Sequence, residues 1–452
     1  MGQRVIQWCS LLVVACLSSG SLTAQTEGSP ETGKIFTHAY TGSDRAGELK
    51  FPVEHRIWLP PGVKRLRGII VHQHGCGAGA CKGGQTAAHD LHWQALARKW
   101  DCALLGPAYT QEDKENCRLW CDPRNGSGDV FLKALEELAA KSGHPELKTV
   151  PWCLWGHSGG GFWASLMLAS HPERIVAIWF RSGTAYQTWT KGEIPAPSLK
   201  QGFFGVPIAL NPGQKEKDDK RFSGAWTGAE AMFQAFRAQG APALFCPDPK
   251  TGHECGDSRY LAIPFFDACL ALRLPPKESP ESPLRPIHPG TGWIAPVGGG
   301  KPVVAESDEA KKWVARGQAA TVWLPNLAFA RVWEEFSRTG LVADSTPPPP
   351  PSLATVEWAQ GTAKLTWQAP ADLESGLGGF VILRDGKVWR KLPEKPAGRP
   401  RPLFQGLGYH DTPDQPLARM EITDPAPGEQ YSIQSVNGAG LPSATVPFRA
   451  SR

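Results

Sequence analysis

Between residues 51 and 275, short apolar runs rich in β-branched and aromatic residues alternate with stretches whose apolar positions recur at helical spacing. Strands are predicted at 55–59, 68–72, 102–105, 152–155, 175–180, 206–211 and 243–246. Helices are predicted at 87–100, 130–141, 161–170, 229–239 and 260–272; the second carries Phe131, Leu132, Leu135 and Leu138 on one spacing, and the fourth stops at Gly240. The alternation implies a mainly parallel sheet with helices on both faces, a doubly wound α/β fold over residues 51–275.

The pattern differs on either side. Residues 25–50 are polar and Gly-rich and read as a loose lead-in. Residues 276–345 begin rich in Pro and Gly and read as a connector with helical segments between 308 and 340. A proline run from Pro347 to Pro351 follows, a composition that favours an extended, semi-rigid conformation. Beyond it the period becomes two, with strands expected at 355–358, 363–367, 379–384 and 431–436 and a hairpin signal at Asp385-Gly386. Residues 346–452 thus read as a linker and a small all-β sandwich. The pieces Leu365-Thr366-Trp367, Gly379-Phe380-Val381-Ile382 and the strand from Tyr431 to Asn437 resemble a fibronectin type III domain. The long insert at 391–411 departs from the short loops of that family.

The first 24 residues have the layout of a secretory signal. Arg4 precedes an apolar stretch from Trp8 to Leu17, which is shorter than the roughly 20 residues a bilayer span needs. Cleavage after Ala24 would release a soluble chain to the periplasm or the extracellular space. Val13-Val14-Ala15-Cys16 also resembles a lipoprotein signal, in which Cys16 would be lipidated and give a membrane anchor. Export permits disulfides, and Cys76/Cys81, Cys117/Cys121 and Cys246/Cys255 are the pairs close enough in sequence to suggest them. Cys102, Cys153 and Cys269 sit in apolar patterns as buried thiols. The net charge of +5 comes without a dense basic run, so nucleic acid is not an expected partner.

Chemistry concentrates at Gly156-His157-Ser158-Gly159-Gly160, where a serine stands between a predicted strand and a predicted helix. A serine on so tight a turn projects its hydroxyl beyond the strand end, and glycines two residues away avoid collision with the neighbouring backbone. Ser158 is the expected nucleophile. The N–H of Gly159, at a helix N-terminus, is an expected oxyanion donor. The second donor is expected after the strand at 68–72, in His74-Gly75-Cys76-Gly77, with Cys76 first and Gly77 next. His72 and His74 alone lack a third ligand, so a metal is not expected there. The base is expected at His253, 95 residues after the serine and just before the last helix. The acid belongs in the charged loop after the strand at 206–211; Glu216 is preferred, with Asp218 and Asp219 as alternatives. Trp120, Trp152, Trp155, Trp163, Trp179, Trp189 and Trp226 lie near these motifs and suggest an aromatic pocket.

With Ser158, an acidic loop, His253 and an oxyanion loop in this order, residues 51–275 resemble the α/β-hydrolase family, in particular compact esterases similar to dienelactone hydrolases and secreted feruloyl or polyester esterases. The resemblance implies acyl transfer to Ser158 and hydrolysis by water activated by His253, with no metal or organic cofactor. Its substrate would be a small-molecule or polysaccharide-linked ester. Two other readings stand beside it: a serine peptidase of the prolyl-oligopeptidase kind, and a non-catalytic scaffold on the same fold.

Overall fold

The computed structural model describes residues 33–288, 290–397 and 401–451. The expected signal, its cleavage site and Cys16 lie outside the described residues. No helix of the described residues is long and apolar enough to cross a membrane.

Eight strands form the main sheet: β1 (Lys34–Tyr40), β2 (Val53–Leu59), β3 (Gly68–Gln73), β4 (Cys102–Tyr109), β5 (Trp152–His157), β6 (Ile175–Arg181), β7 (Ile208–Asn211) and β8 (Ala243–Phe245). Their order is β1-β2-β4-β3-β5-β6-β7-β8. β1 and β2 are antiparallel, and every pairing from β4 to β8 is parallel. The parallel strands β3, β4, β5 and β6 are buried along their whole length, because helices cover both faces. β1 corrects the reading of residues 25–50 as a loose lead-in: residues from Lys34 onward add an antiparallel edge along the whole of β2.

The helices are α1 (Ala78–Ala87), α2 (Leu91–Lys99), α3 (Arg118–Cys121), α4 (Ser127–Ser142), α5 (Gly159–Ser170), α6 (Tyr186–Thr190), α7 (Ser223–Ala238) and α8 (Arg259–Arg273). The helix expected at 87–100 is α2, which starts four residues later, and α1 precedes it where none was expected. Asp90 accepts the N–H groups of His92 and Trp93 and so sets the start of α2 as its cap. α1 has few large apolar residues and shows no helical stripe in the sequence. The chain leaves β3 toward β4, yet β5 and β6 lie on the opposite side. The crevice beyond the carboxyl ends of β3 and β5 is therefore the topological switch point, where open α/β sheets place their ligands.

Residues 276–345 are more than a connector. Two helices, α9 (Asp308–Val314) and α10 (Leu327–Thr339), accompany a small sheet of β9 (Trp293–Pro296), β10 (Val303–Val304) and β11 (Thr321–Leu324), ordered β10-β9-β11. Val322, Trp323, Leu324, Phe329, Trp333 and Phe336 join the same hydrophobic core as the main sheet. These strands are too short, and too broken by Pro and Gly, to show a period.

The C-terminal β-region has its own core, around Leu365, Trp367, Phe380 and Ile433. One sheet orders β12 (Ser352–Ala359), β13 (Thr362–Gln368), β16 (Glu421–Asp424) and β19 (Arg449–Ala450) as β16-β13-β12-β19. The other orders β14 (Leu377–Arg384), β15 (Lys387–Leu392), β17 (Tyr431–Asn437) and β18 (Val446–Pro447) as β15-β14-β17-β18. Asp385 and Gly386 turn β14 into β15, both with positive φ (49° and 77°), as a two-residue hairpin of this kind requires.

Candidate active site

Ser158 follows the last residue of β5 and precedes α5. Its φ of 51° and ψ of −114° lie where side chains are strained, and its N–H is held by the Arg181 carbonyl at 2.9 Å. A Cβ on Gly156 would stand 2.5 Å from the Gly160 carbonyl oxygen, so strand and helix close on one another only because no side chain intervenes. The hydroxyl of Ser158 lies 3.0 Å from His253 Nε2. His253 Nδ1 lies 2.5 Å from Glu216 Oε1, and the other Glu216 oxygen accepts the Gly213 N–H at 3.0 Å. Glu216 is wholly buried (0% exposed). A proton on Nδ1 facing the carboxylate leaves Nε2 as the acceptor for the serine hydroxyl.

The structure thus brings Ser158, His253 and Glu216 together. The alternatives to Glu216 go elsewhere. Asp218 is exposed. Asp219 accepts the N–H groups of Arg221 and Phe222, bonds that hold its carboxyl below the usual range. The Phe222 ring, placed by that turn, stacks on His253 with centroids 3.8 Å apart and planes 9° from parallel.

The loop after β3 crosses in front of Ser158. A Cβ on Gly75 would lie 3.2 Å from Ser158 Cβ, and one on Gly159 would run into Cys76 Sγ. Gly75 therefore lies against Ser158, and the Cys76 side chain against Gly159. Cys76 is bonded to Cys117, just before α3. This corrects the expected pairings: Cys81, Cys121, Cys246 and Cys255 are all free and buried. Sequence proximity misled because the loop after β3 lies against the start of α3, 41 residues on. Cys76, Cys117 and Cys121 are also the one grouping of potential metal ligands among the described residues, and two of its sulfurs are joined to each other.

His72 and His74 are core residues. His74 Nδ1 donates to the Gly75 carbonyl (2.6 Å), and Nε2 accepts the Tyr109 N–H (3.3 Å); burial pushes its pKa down to about 3. His72 stacks on Trp155. The seven tryptophans expected to line a pocket are likewise buried in the core.

Two supports of His253 escaped the sequence reading. Arg181, at the end of β6 and fully buried, donates to the carbonyls of Asn211, Gly252 and Glu254 and to the Thr251 hydroxyl. His157 Nε2 donates to the His253 carbonyl at 2.8 Å. Burial, with His253 and His410 nearby, holds the His157 pKa well below its ordinary value, so the ring is neutral and its Nδ1 is a bare acceptor. Consecutive carbonyls at 252, 253 and 254 are thereby all fixed from β6 and β5. Neither contact leaves a local signal, because each joins residues more than 70 positions apart.

No family model and no curated protein matches the chain. Solved structures similar to it include an S-formylglutathione hydrolase from Agrobacterium tumefaciens (14% identity, 55% of this chain and 96% of that one, TM-score 0.35). A dienelactone hydrolase from Anabaena variabilis is similar at 16% identity over 48% of this chain and 88% of that one, with a TM-score of 0.28. A ferulic acid esterase is similar at 15% identity over 49% and 92%, with a TM-score of 0.34. The neighbours named are hydrolases and an esterase, similar at low identity over about half of this chain.

Proposed function

We propose that the chain is an exported serine hydrolase of carboxylic esters. The observation that carries this is the line from Ser158 Oγ through His253 (3.0 Å) to Glu216 (2.5 Å) at the switch point of the sheet. Ser158 attacks the ester carbonyl while His253 Nε2 takes its proton. Glu216 holds the tautomer and offsets the imidazolium charge. The N–H groups of Cys76 and Gly159 receive the developing oxyanion. His253 then returns the proton to the departing alkoxide, and a water deprotonated by the same nitrogen cleaves the acyl-Ser158 intermediate. The chain's own groups supply every proton transfer in this scheme.

Export is supported by the layout of residues 1–24 and by the Cys76–Cys117 disulfide, a bond that persists in oxidising compartments. The two four-stranded sheets of the C-terminal β-region support a fibronectin type III-like module, and a polysaccharide-linked ester is the substrate class that such a pairing suggests. The test is Ser158→Ala assayed with p-nitrophenyl acetate and a fluorophosphonate probe. Loss of both turnover and labelling is expected. Retention of either in the variant sinks the assignment of Ser158.

A further inference from the structure

The loop between β15 and β16 of the C-terminal β-region reaches the residues around the His253 loop. Tyr409, His410 and Asp411, consecutive on this loop, touch three different residues: Cys255 just past His253, its support His157, and Arg259 at the start of α8. The Tyr409 carbonyl accepts the N–H of Cys255, two residues past the histidine, at 3.1 Å. His410 Nδ1 lies 3.1 Å from His157 Nδ1. His157 already donates through Nε2 to the His253 carbonyl, so its Nδ1 can only accept and His410 must be the donor. Asp411 accepts from Arg259 Nε at 2.7 Å, and Arg259, the first residue of α8, also binds Asp90 at 2.7 Å. These charges are almost completely enclosed, with Arg259 and Asp411 side chains 3% and 0% exposed.

We propose that Tyr409, His410 and Asp411 are positioning residues of the active site, so that a loop of the C-terminal β-region completes the scaffold that aims His253 at Ser158; the proposal rests on the serine-hydrolase reading. A module tethered for binding alone has no reason to bury a carboxylate inside its neighbour, because an ion taken out of water costs several kcal/mol unless it is fully paired. Here the pairing partner, Arg259, opens the helix into which the histidine loop runs. The His410–His157–His253 relay fixes one face of that loop, and the Tyr409 and Asp411 contacts fix its exit. None of the three residues is placed on the reacting atoms. They act by holding the imidazole within the few tenths of an ångström that proton transfer needs.

His410 gives the decisive test, because its ring takes no part in the buried Asp411–Arg259 ion pair. His410→Ala leaves His157 Nδ1 without its donor. His410→Asn restores an N–H at nearly the same place. Both are measured in the full chain with p-nitrophenyl acetate, with the rate of fluorophosphonate labelling at Ser158 and with melting temperature in parallel. His410→Ala is expected to lower kcat and the labelling rate about 10- to 100-fold with KM little changed, and His410→Asn to recover most of the loss. Wild-type kcat in His410→Ala overturns the proposal. So does an equal loss in both variants accompanied by a fall in melting temperature, which marks a structural joint only. If the wild-type chain neither turns over esters nor labels at Ser158, the serine-hydrolase reading fails and takes this one with it. Ser158-dependent labelling indifferent to His410 overturns this one alone.

Discussion

Arg181 is a buried cation whose hydrogen bonds go to carbonyl oxygens and a hydroxyl, tying the ends of β6 and β7 to the turn that presents His253. Removing it leaves several enclosed carbonyls unpaired, at about 1–3 kcal/mol each. Arg181→Gln should therefore destabilise the chain by at least about 3 kcal/mol in urea unfolding and slow turnover in the fraction that folds. Glu216→Gln tests a different property. It keeps the shape but loses the charge that favours the Nδ1 proton, and kcat should drop by roughly 10³- to 10⁴-fold with the melting temperature nearly unchanged. A loss under tenfold would mean that Glu216 is not the acid. At this scale the meeting of Ser158, Glu216 and His253 could be anticipated from local pattern: glycines around the serine, and a charged or Gly-flanked loop after a strand. Arg181, Phe222 and His410 were not legible, since nothing next to them in the chain records what they touch.

The strands and helices that position the site follow from apolar period, and β3, β5 and β6 could be read nearly to the residue because each is a continuous buried run. Elements with weak patterns were missed: α1, which holds Cys81 but few large side chains, and β9 to β11, which bury Ile294, Val322 and Leu324 from strands of four residues or fewer. The link between the loop after β3 and the start of α3 is covalent. By chain entropy, a crosslink spanning 41 residues is worth about 4 kcal/mol. Cys117→Ala should lower the unfolding free energy by an amount of that order and also reduce kcat, because Cys76, which packs on Gly159, is released. An unchanged kcat with the expected stability loss would show that the loop holds its place without the bond.

Across the whole molecule, buried neutral histidines tie stability to pH. Burial pushes His55 and His74 down to about 3 and His92 and His410 down to about 4. The unfolded chain takes up these protons near pH 6.5, well before the folded one does. Their contribution is therefore complete above about pH 6.5 and is lost as pH falls toward 4. Each site adds a slope of up to about 1.4 kcal/mol per pH unit. Melting temperature should fall steeply between pH 6.5 and 5, and a flat profile there would show that these rings are hydrated. The mainly parallel α/β sheet and the strands that follow residue 351 were visible in the change of period. Its close attachment was not, because that attachment runs through single residues of the insert at 391–411 and through Leu373, whose carbonyl lies 2.8 Å from the His92 ring.

The contacts of Asp411 and His410 span 152 and 253 residues of chain. Contacts so distant in sequence are the last to be repaid during folding, because the loop between them must close first. A chain refolding from denaturant, or emerging during synthesis, would hold Ser158, Glu216 and His253 on a formed sheet before the distal loop arrives. Ester hydrolysis should then return later than the far-UV signal of the helices. Simultaneous recovery would place the docking of residues 409–411 early. With the lag, catalytic competence becomes a signal of completed assembly, withheld until the final quarter of the polypeptide is in place.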